Sequence, residues 1–322
     1  MAISNLLNNM QPQAIPVIFI MGTTATGKTD AAAYLSTQLS VEIVSVDSSL
    51  VYRGMDIGSA KPSKAFLEKY PHHLVDIRDP DQAYSAADFV ENSVKLIKEI
   101  TERGNIPLLV GGTSFYFSAL ERGLPDLPSA DEEIRAQIQK EADEKGWEYL
   151  HAKLANLDPE SAARINVKDP QRIQRALEII EVTGKRVVPL DERKQLFSNP
   201  VLKFALTFSD RKILHERIAL RFQMMIDEGL IDEVEGLLTK KFDPSAPAFR
   251  MIGYRQVIEF LEEKTNFDRM LEMGTAATRQ LAKRQLTWLR NQSDTVWLVN
   301  DQRLINKNYE GLLTYIKSYM NL

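Results

Sequence analysis

The stretch Val17-Ile-Phe-Ile-Met21, followed by Gly22-Thr-Thr-Ala-Thr-Gly27-Lys28-Thr29, decides the fold class. Five consecutive apolar residues before a glycine turn predict a strand buried on both faces. Lys28 to Leu39 predicts the helix that follows. The segment between them fits G-x4-G-K-[ST] in the context that gives this pattern its meaning, a strand before it and a helix after it. Its glycines let successive backbone N–H groups turn inward around phosphate oxygens, and the new helix aims the positive end of its dipole at the same place. Lys28 adds a mobile cation, and the Thr29 hydroxyl can hold Mg²⁺. Gly22, Thr23, Thr24, Ala25, Thr26, Gly27, Lys28 and Thr29 are therefore the expected phosphate-holding residues. The pattern does not say whose phosphate it is: a nucleoside triphosphate and the diphosphate of another donor fit alike.

Outward from this loop, strands and helices alternate. Glu42–Val46 and Ile106–Val110 predict further buried strands, and Ala86–Glu102 a helix closed by Gly104. At Gly123-Leu-Pro-Asp-Leu-Pro-Ser129 the character changes, since two prolines and a glycine mark a linker. From Asp131 to about Lys194 the chain reads as helical and charge-rich. Alternation returns at Leu202–Phe208, and Val296–Val299 predicts a last strand. The expected fold is α/β, a P-loop NTPase-like parallel sheet core (1–122 and 196–322) with an inserted helical domain (123–195).

Composition narrows the function classes. The 322 residues are 44% hydrophobic and 26% charged, enough apolar content for a packed core. A net charge of -4 excludes a uniformly basic nucleic-acid coat, so any RNA contact must come from local patches. With no cysteine there is no disulfide framework, no thiolate nucleophile and no cysteine-based metal site. The N-terminus reads as no signal peptide, and no apolar stretch is long enough to span a bilayer. A cytoplasmic protein is expected.

Asp47 and Ser48 follow the strand Glu42–Val46, at the carboxyl edge of the sheet, where open α/β sheets bind ligands. A carboxylate there can take a proton from a nucleophile; it can equally cap a helix or assist Mg²⁺. The strand Ile106–Val110 runs into Gly111-Gly112-Thr113 rather than the acidic residue that a hydrolytic P-loop enzyme places there. That absence argues against a motor or a switch.

Several further blocks occur in one order: VDSSLVYRGMDIGSAKP from Val46, GGTSFY from Gly111, DPQRIQRALEI from Asp169, RMIGYRQ from Arg250 and TRQLAKRQLTWLR from Thr278. With the phosphate loop they resemble the bacterial tRNA dimethylallyltransferase family, over most of the chain. The resemblance implies transfer of a dimethylallyl group to N6 of the adenosine 3′-adjacent to the anticodon, with release of diphosphate. It implies that Gly22 to Thr29 hold dimethylallyl diphosphate with Mg²⁺, and that Asp47, Thr29 and Arg221 serve catalysis. By the same resemblance tRNA contacts are expected at Asp47, Ser48, Ser49, Leu50, Thr113, Arg135, Gln171, Arg172, Ile173, Gln174, Arg175, Arg250, Met251, Ile252, Gly253, Tyr254 and Arg255. A monomer acting on the anticodon stem-loop of tRNA is the corresponding assembly. Three features depart from the family's commoner pattern: no proline after Gly22, GGTSFY in place of GGTGLY, and no zinc-finger extension.

Charge agrees with an RNA partner without requiring one. Arg279, Lys283, Arg284 and Arg290 form a stretch without acids, and Arg164–Lys194 holds eight basic against five acidic residues. Each cluster reads either as a solvated helix face or as phosphate contacts. An acceptor adenosine would have to leave its stack, and Phe115, Tyr116, Phe249 and Tyr254 are candidates either to hold it or to fill the core. None of the four histidines is assigned to metal or catalysis, and Trp147, Trp288 and Trp297 read as packing residues. Rival readings are a kinase using the same loop, a prenyltransferase acting on free adenylate, and a non-enzymatic RNA binder.

Overall fold

A computed structural model of the chain describes residues 14–125, 127–186, 196–240, 242, 246–301 and 305–321. Six parallel strands form one sheet: β1 (Val17–Gly22), β2 (Val41–Val46), β3 (His72–His73), β4 (Ile106–Gly111), β5 (Val201–Thr207) and β6 (Thr295–Val299). Their spatial order is β3-β2-β4-β1-β5-β6. β1 lies between β4 and β5, with Met21 beside Gly111 and Gly22 beside Leu206. β1 explains its own sequence. Val17, Phe19 and Met21 enter one apolar core, Ile18 and Ile20 the core on the opposite face, and every residue of the strand is buried.

The chain divides into two compact units, Met1–Glu121 with Gln195–Leu322, and Arg122–Lys194. In the first, the helices are α1 (Lys28–Ser36), α2 (Lys64–Lys69), α3 (Ala86–Glu102), α4 (Ser114–Arg122, whose last residue opens the second unit), and, after the second unit, α9 to α13. Those last five span Arg211–Asp227, Leu230–Thr239, Tyr254–Leu261, Phe267–Arg290 and Ile305–Met320. α1 stops at Ser36, three residues short of the end expected from sequence. The Ser36 and Thr37 hydroxyls turn back onto the carbonyls of Ala32 and Tyr34, and such local bonds compete with helix propagation. α3 runs over its expected span, opened by a reciprocal cap between Ser85 and Asp88.

The second unit holds α5 (Glu132–Lys145), α6 (Trp147–Leu157), α7 (Pro159–Arg164) and α8 (Pro170–Thr183) around Ile138, Leu150, Leu154, Ile173 and Leu177. Its starts are written in the sequence. Asp158-Pro159 and Asp169-Pro170 each supply a capping carboxylate and a proline with φ already set for a helix. The helical reading of 187–194 lies outside the described residues. Trp147 and Trp288 pack against cores, whereas Trp297, on the edge strand β6, is 38% exposed. Among the described residues no helix is long and apolar enough to cross a membrane.

Candidate functional site

Because all the strands are parallel, their carboxyl ends share one edge. Val46 pairs with Gly111, and Gly111 with Met21, so Asp47, Gly112 and Gly22 stand in a row above β2, β4 and β1. Asp47 is thus two strand spacings from the phosphate loop, about 10 Å. The middle strand ends in glycine where the row must be clear. A Cβ on Gly111 would lie 2.0 Å from the Val46 carbonyl oxygen, and one on Gly112 2.7 Å from the Gln285 amide. Over this row opens a cavity of about 500 Å³.

The phosphate loop is braced from behind by its carbonyls. Asn300 donates to Thr26 O at 2.6 Å, Tyr309 to Gly27 O at 3.1 Å and Arg217 to Ala25 O at 3.0 Å. Gly27 has φ of 84°, a left-handed conformation in which glycine carries no Cβ penalty. Gln285 spans two motifs: it accepts from Thr24 N at 3.1 Å and donates to Gly112 O at 2.8 Å. Lys28 Nζ rests on Thr23 O at 2.7 Å. Burial, with the nearby Arg221 guanidinium, pushes the Lys28 ammonium down to about 8, and Asp47 works against that shift. Arg221, on α9, is itself lowered from its ordinary value by burial, again opposed by Asp47. Two cations and one carboxylate therefore sense one another across the cavity.

Asp47 Oδ1 accepts from Ser49 N at 2.8 Å and Ser49 Oγ at 2.5 Å, which fixes the carboxylate in a tight turn. Ser48 N donates to Thr113 Oγ1 at 3.1 Å, tying the ends of β2 and β4 together. Glu233, near the start of α10, accepts from the backbone N–H groups of Asp56, Ile57 and Gly58, and from the Tyr254 hydroxyl at 2.7 Å. These bonds hold the loop whose residues Gly58 to Ala60 form part of the cavity wall.

Of the residues expected from sequence, Thr24, Ala25, Lys28, Thr29, Asp47, Ser48, Ser49, Leu50, Thr113, Arg221, Met251, Ile252 and Tyr254 line the cavity. Thr23 and Thr26 are buried within the loop itself. Tyr254 is fully buried with its hydroxyl on Glu233, so that side chain is wall, not a free contact. Arg250 and Arg255 are exposed, and Gly253 is buried. In the helical unit Gln171 and Arg172 are exposed, Ile173 is core, and Gln174 donates to Arg135 O. Arg135 and Arg175 both grip the fully buried Glu178. The residues that sequence missed are Gln285, Glu233, Arg217, Asn300 and Tyr309. Their partners lie roughly 20 to 280 residues away along the chain, mostly above 150, a range over which no local pattern speaks.

Fold and site define a phosphate-loop enzyme that sets a carboxylate opposite a cationic anion cradle. The IPP transferase family matches residues 50–292, and the chain belongs to that family. It is 50% identical over 287 residues to the tRNA dimethylallyltransferase of Methylobacillus flagellatus, covering 88% of this chain and 91% of that one. Among solved structures it is similar to the tRNA isopentenylpyrophosphate transferase of Bacillus halodurans, with 34% identity, TM-score 0.71 and coverage of 95% and 97% of the two chains. A eukaryotic dimethylallyltransferase acting on tRNA superposes with TM-score 0.78 at 25% identity, over 95% of this chain and 80% of that one.

Proposed function

We propose that the chain transfers the dimethylallyl group of dimethylallyl diphosphate to N6 of the adenosine 3′-adjacent to the anticodon in tRNA, releasing diphosphate. The observation that carries this reading is the row Gly22, Gly112, Asp47 along one sheet edge, with Lys28 and Arg221 facing Asp47 across a single cavity. The two strands flanking β1 end in Gly111-Gly112 and Thr207, neither of them acidic, which favours a bound diphosphate over a hydrolysed triphosphate.

In the reaction the bond from the allylic carbon to the diphosphate oxygen breaks, its electron pair leaves with the diphosphate, and a bond forms from N6 to that carbon. Lys28, Arg221 and the inward N–H groups of the loop are suited to the charge that gathers on the leaving group. Asp47, held by Ser49, is suited to orient the amine and take the proton it sheds. Mg²⁺ fits the residues present. Among the described residues no group of three or more His, Asp or Glu could cage a metal, but Mg²⁺ keeps most of its waters and binds through few protein groups plus phosphates. Thr29 would hold it, and the buried Ser45 hydroxyl on the cavity wall, without a hydrogen-bond partner among the described residues, is suited to one of its waters. When bound, the ion neutralises diphosphate charge. The reading carries with it a monomer, since one chain supplies loop and carboxylate, and the cytoplasm, where unmodified tRNA is met.

Incubation with dimethylallyl diphosphate, Mg²⁺ and unmodified tRNA is expected to yield N6-prenyladenosine by mass spectrometry. Asp47→Ala should slow single turnover roughly 10²–10⁴-fold with donor affinity kept. Absence of prenylated tRNA alongside tRNA-stimulated ATP hydrolysis would overturn the proposal.

A further inference from the structure

Four aromatic residues stand in the sequence blocks around the cavity, and they are not equivalent in the fold. Tyr116, Phe249 and Tyr254 are 5%, 1% and 0% exposed, and Tyr116 lies stacked on Phe89 with ring centroids 4.3 Å apart. Phe115 is 62% exposed. A lone surface phenylalanine needs no explanation in itself. Its position does. Of the exposed large apolar side chains among the described residues, Phe115 alone lines the cavity.

The ring is mounted on a rigid base. Phe115 sits in the first turn of α4, where the N–H groups of Tyr116 and Phe117 bond to Thr113 O. Phe117 is buried against Phe19, with centroids 5.0 Å apart. With both following side chains locked in the core, the backbone presenting Phe115 has little freedom. Asp47 and Phe115 flank one hydrogen bond, Ser48 N to Thr113 Oγ1. Asp47 is one chain step from it and Phe115 two, at most about 7 Å of chain. Carboxylate and ring therefore belong to the same rim.

The rest of the apolar lining has a different character and place. Ile218, Phe222 and Met225 recur on the face of α9 that carries Arg221, joined by Leu281 of α12. Gly274 lets α12 approach α9 there, for a Cβ on it would lie 2.1 Å from the Phe222 ring. This largely aliphatic wall, beside the phosphate-facing cations, suits a short branched hydrocarbon. A π face near the carboxylate suits a planar base, and this chain places Phe115 there in place of the family's commoner leucine.

We infer that Phe115 is an acceptor-binding residue, the surface on which the extruded adenine stacks while Asp47 meets its amine. The inference rests on the proposed tRNA acceptor. Stacking one base on an aromatic side chain is worth about 1–3 kcal/mol, so Phe115→Ala should lower kcat/KM for tRNA by about 5- to 150-fold. Phe115→Tyr should restore it and Phe115→Leu should not, since only the former keeps the π face. The Kd for dimethylallyl diphosphate, measured without tRNA, and the melting temperature should hold in all three. The wild-type product assay separates the two claims: no prenylated tRNA from the wild type rejects the acceptor itself. Given active wild type, three results would each overturn the stacking role: an unimpaired Phe115→Ala, a leucine variant equal to the wild type, or lost donor affinity.

Discussion

Lys28 shows at the scale of one residue what the site costs the fold. Its side chain is half-buried in the cavity wall, and burial is the chief cause by which its pKa falls from 10.5 to about 8. Below pH 8 both folded and unfolded chains carry the proton, and the full cost of burying the charge is present. Between 8 and 10.5 only the unfolded chain keeps it, so this group's contribution to stability rises with pH across that window. Lys28→Met is therefore expected to be more stable than wild type at pH 7, by up to roughly 3 kcal/mol. The gap should close toward pH 10.5, and donor binding should be lost. Calorimetry of both proteins at the two pH values checks this; a variant less stable at pH 7 would show that the bond to Thr23 O outweighs desolvation. The same charge predicts that wild-type affinity for the diphosphate declines above about pH 8. This residue was legible in sequence because the loop pattern is local; the depth of its burial was not.

At the scale of elements, Glu233 joins pieces that sequence presents as separate. The block containing Asp56 to Gly58 offers three backbone N–H groups, the block from Arg250 offers the Tyr254 hydroxyl, and one carboxylate on α10 accepts from all four. Gly58 is needed for the fit, since a Cβ there would lie 2.6 Å from the Tyr254 ring. Ala60, two residues on, receives Arg221 Nη2 at 3.4 Å, so the clamp also steadies the anion-facing cation. Glu233→Gln turns an amide toward donors and leaves some of them unpaired. A loss of about 2–3 kcal/mol is expected, the scale of buried hydrogen bonds to a charged acceptor. Weaker donor binding should accompany it. Chemical denaturation and donor titration of this variant test the pair of effects, and an unchanged donor Kd would detach the clamp from the site. Both sequence blocks were conspicuous beforehand. Glu233 was not, because it lies in an ordinary amphipathic helix some 175 residues from the loop it holds. Strand order was hidden for a similar reason: apolar runs mark strands but not neighbours, and β1 pairs with β5 from 184 positions along the chain.

For the whole molecule, a net charge of -4 leaves RNA affinity to those cations that are unspent within the fold. In the sequence block Asp169–Ile179, Arg172 and Arg175 look alike. The structure separates them. Arg175 donates to Glu178 at 2.8 Å and to Pro128 O at 2.6 Å, and Arg135 meets the same carboxylate, so both neutralise a group with no access to water. Arg172 is 72% exposed, and its one ion-pair contact among the described residues is with Asp169 at 3.4 Å. A cation held this loosely can trade its carboxylate for a phosphate at little cost, whereas Arg175 cannot leave without stranding part of a buried charge. Arg172→Ala is thus expected to weaken tRNA binding and to lower the slope of log K against log salt by about one counterion, with melting unchanged. Arg175→Ala should instead lower the melting temperature, and any loss of tRNA affinity should follow that loss of structure. Filter binding of tRNA across a salt series, beside thermal melts of the two variants, separates these outcomes. Equal salt slopes for Arg172→Ala and wild type would return Arg172 to the solvated face of α8. A stable Arg175→Ala with reduced affinity would mean that this arginine releases Glu178 when RNA arrives.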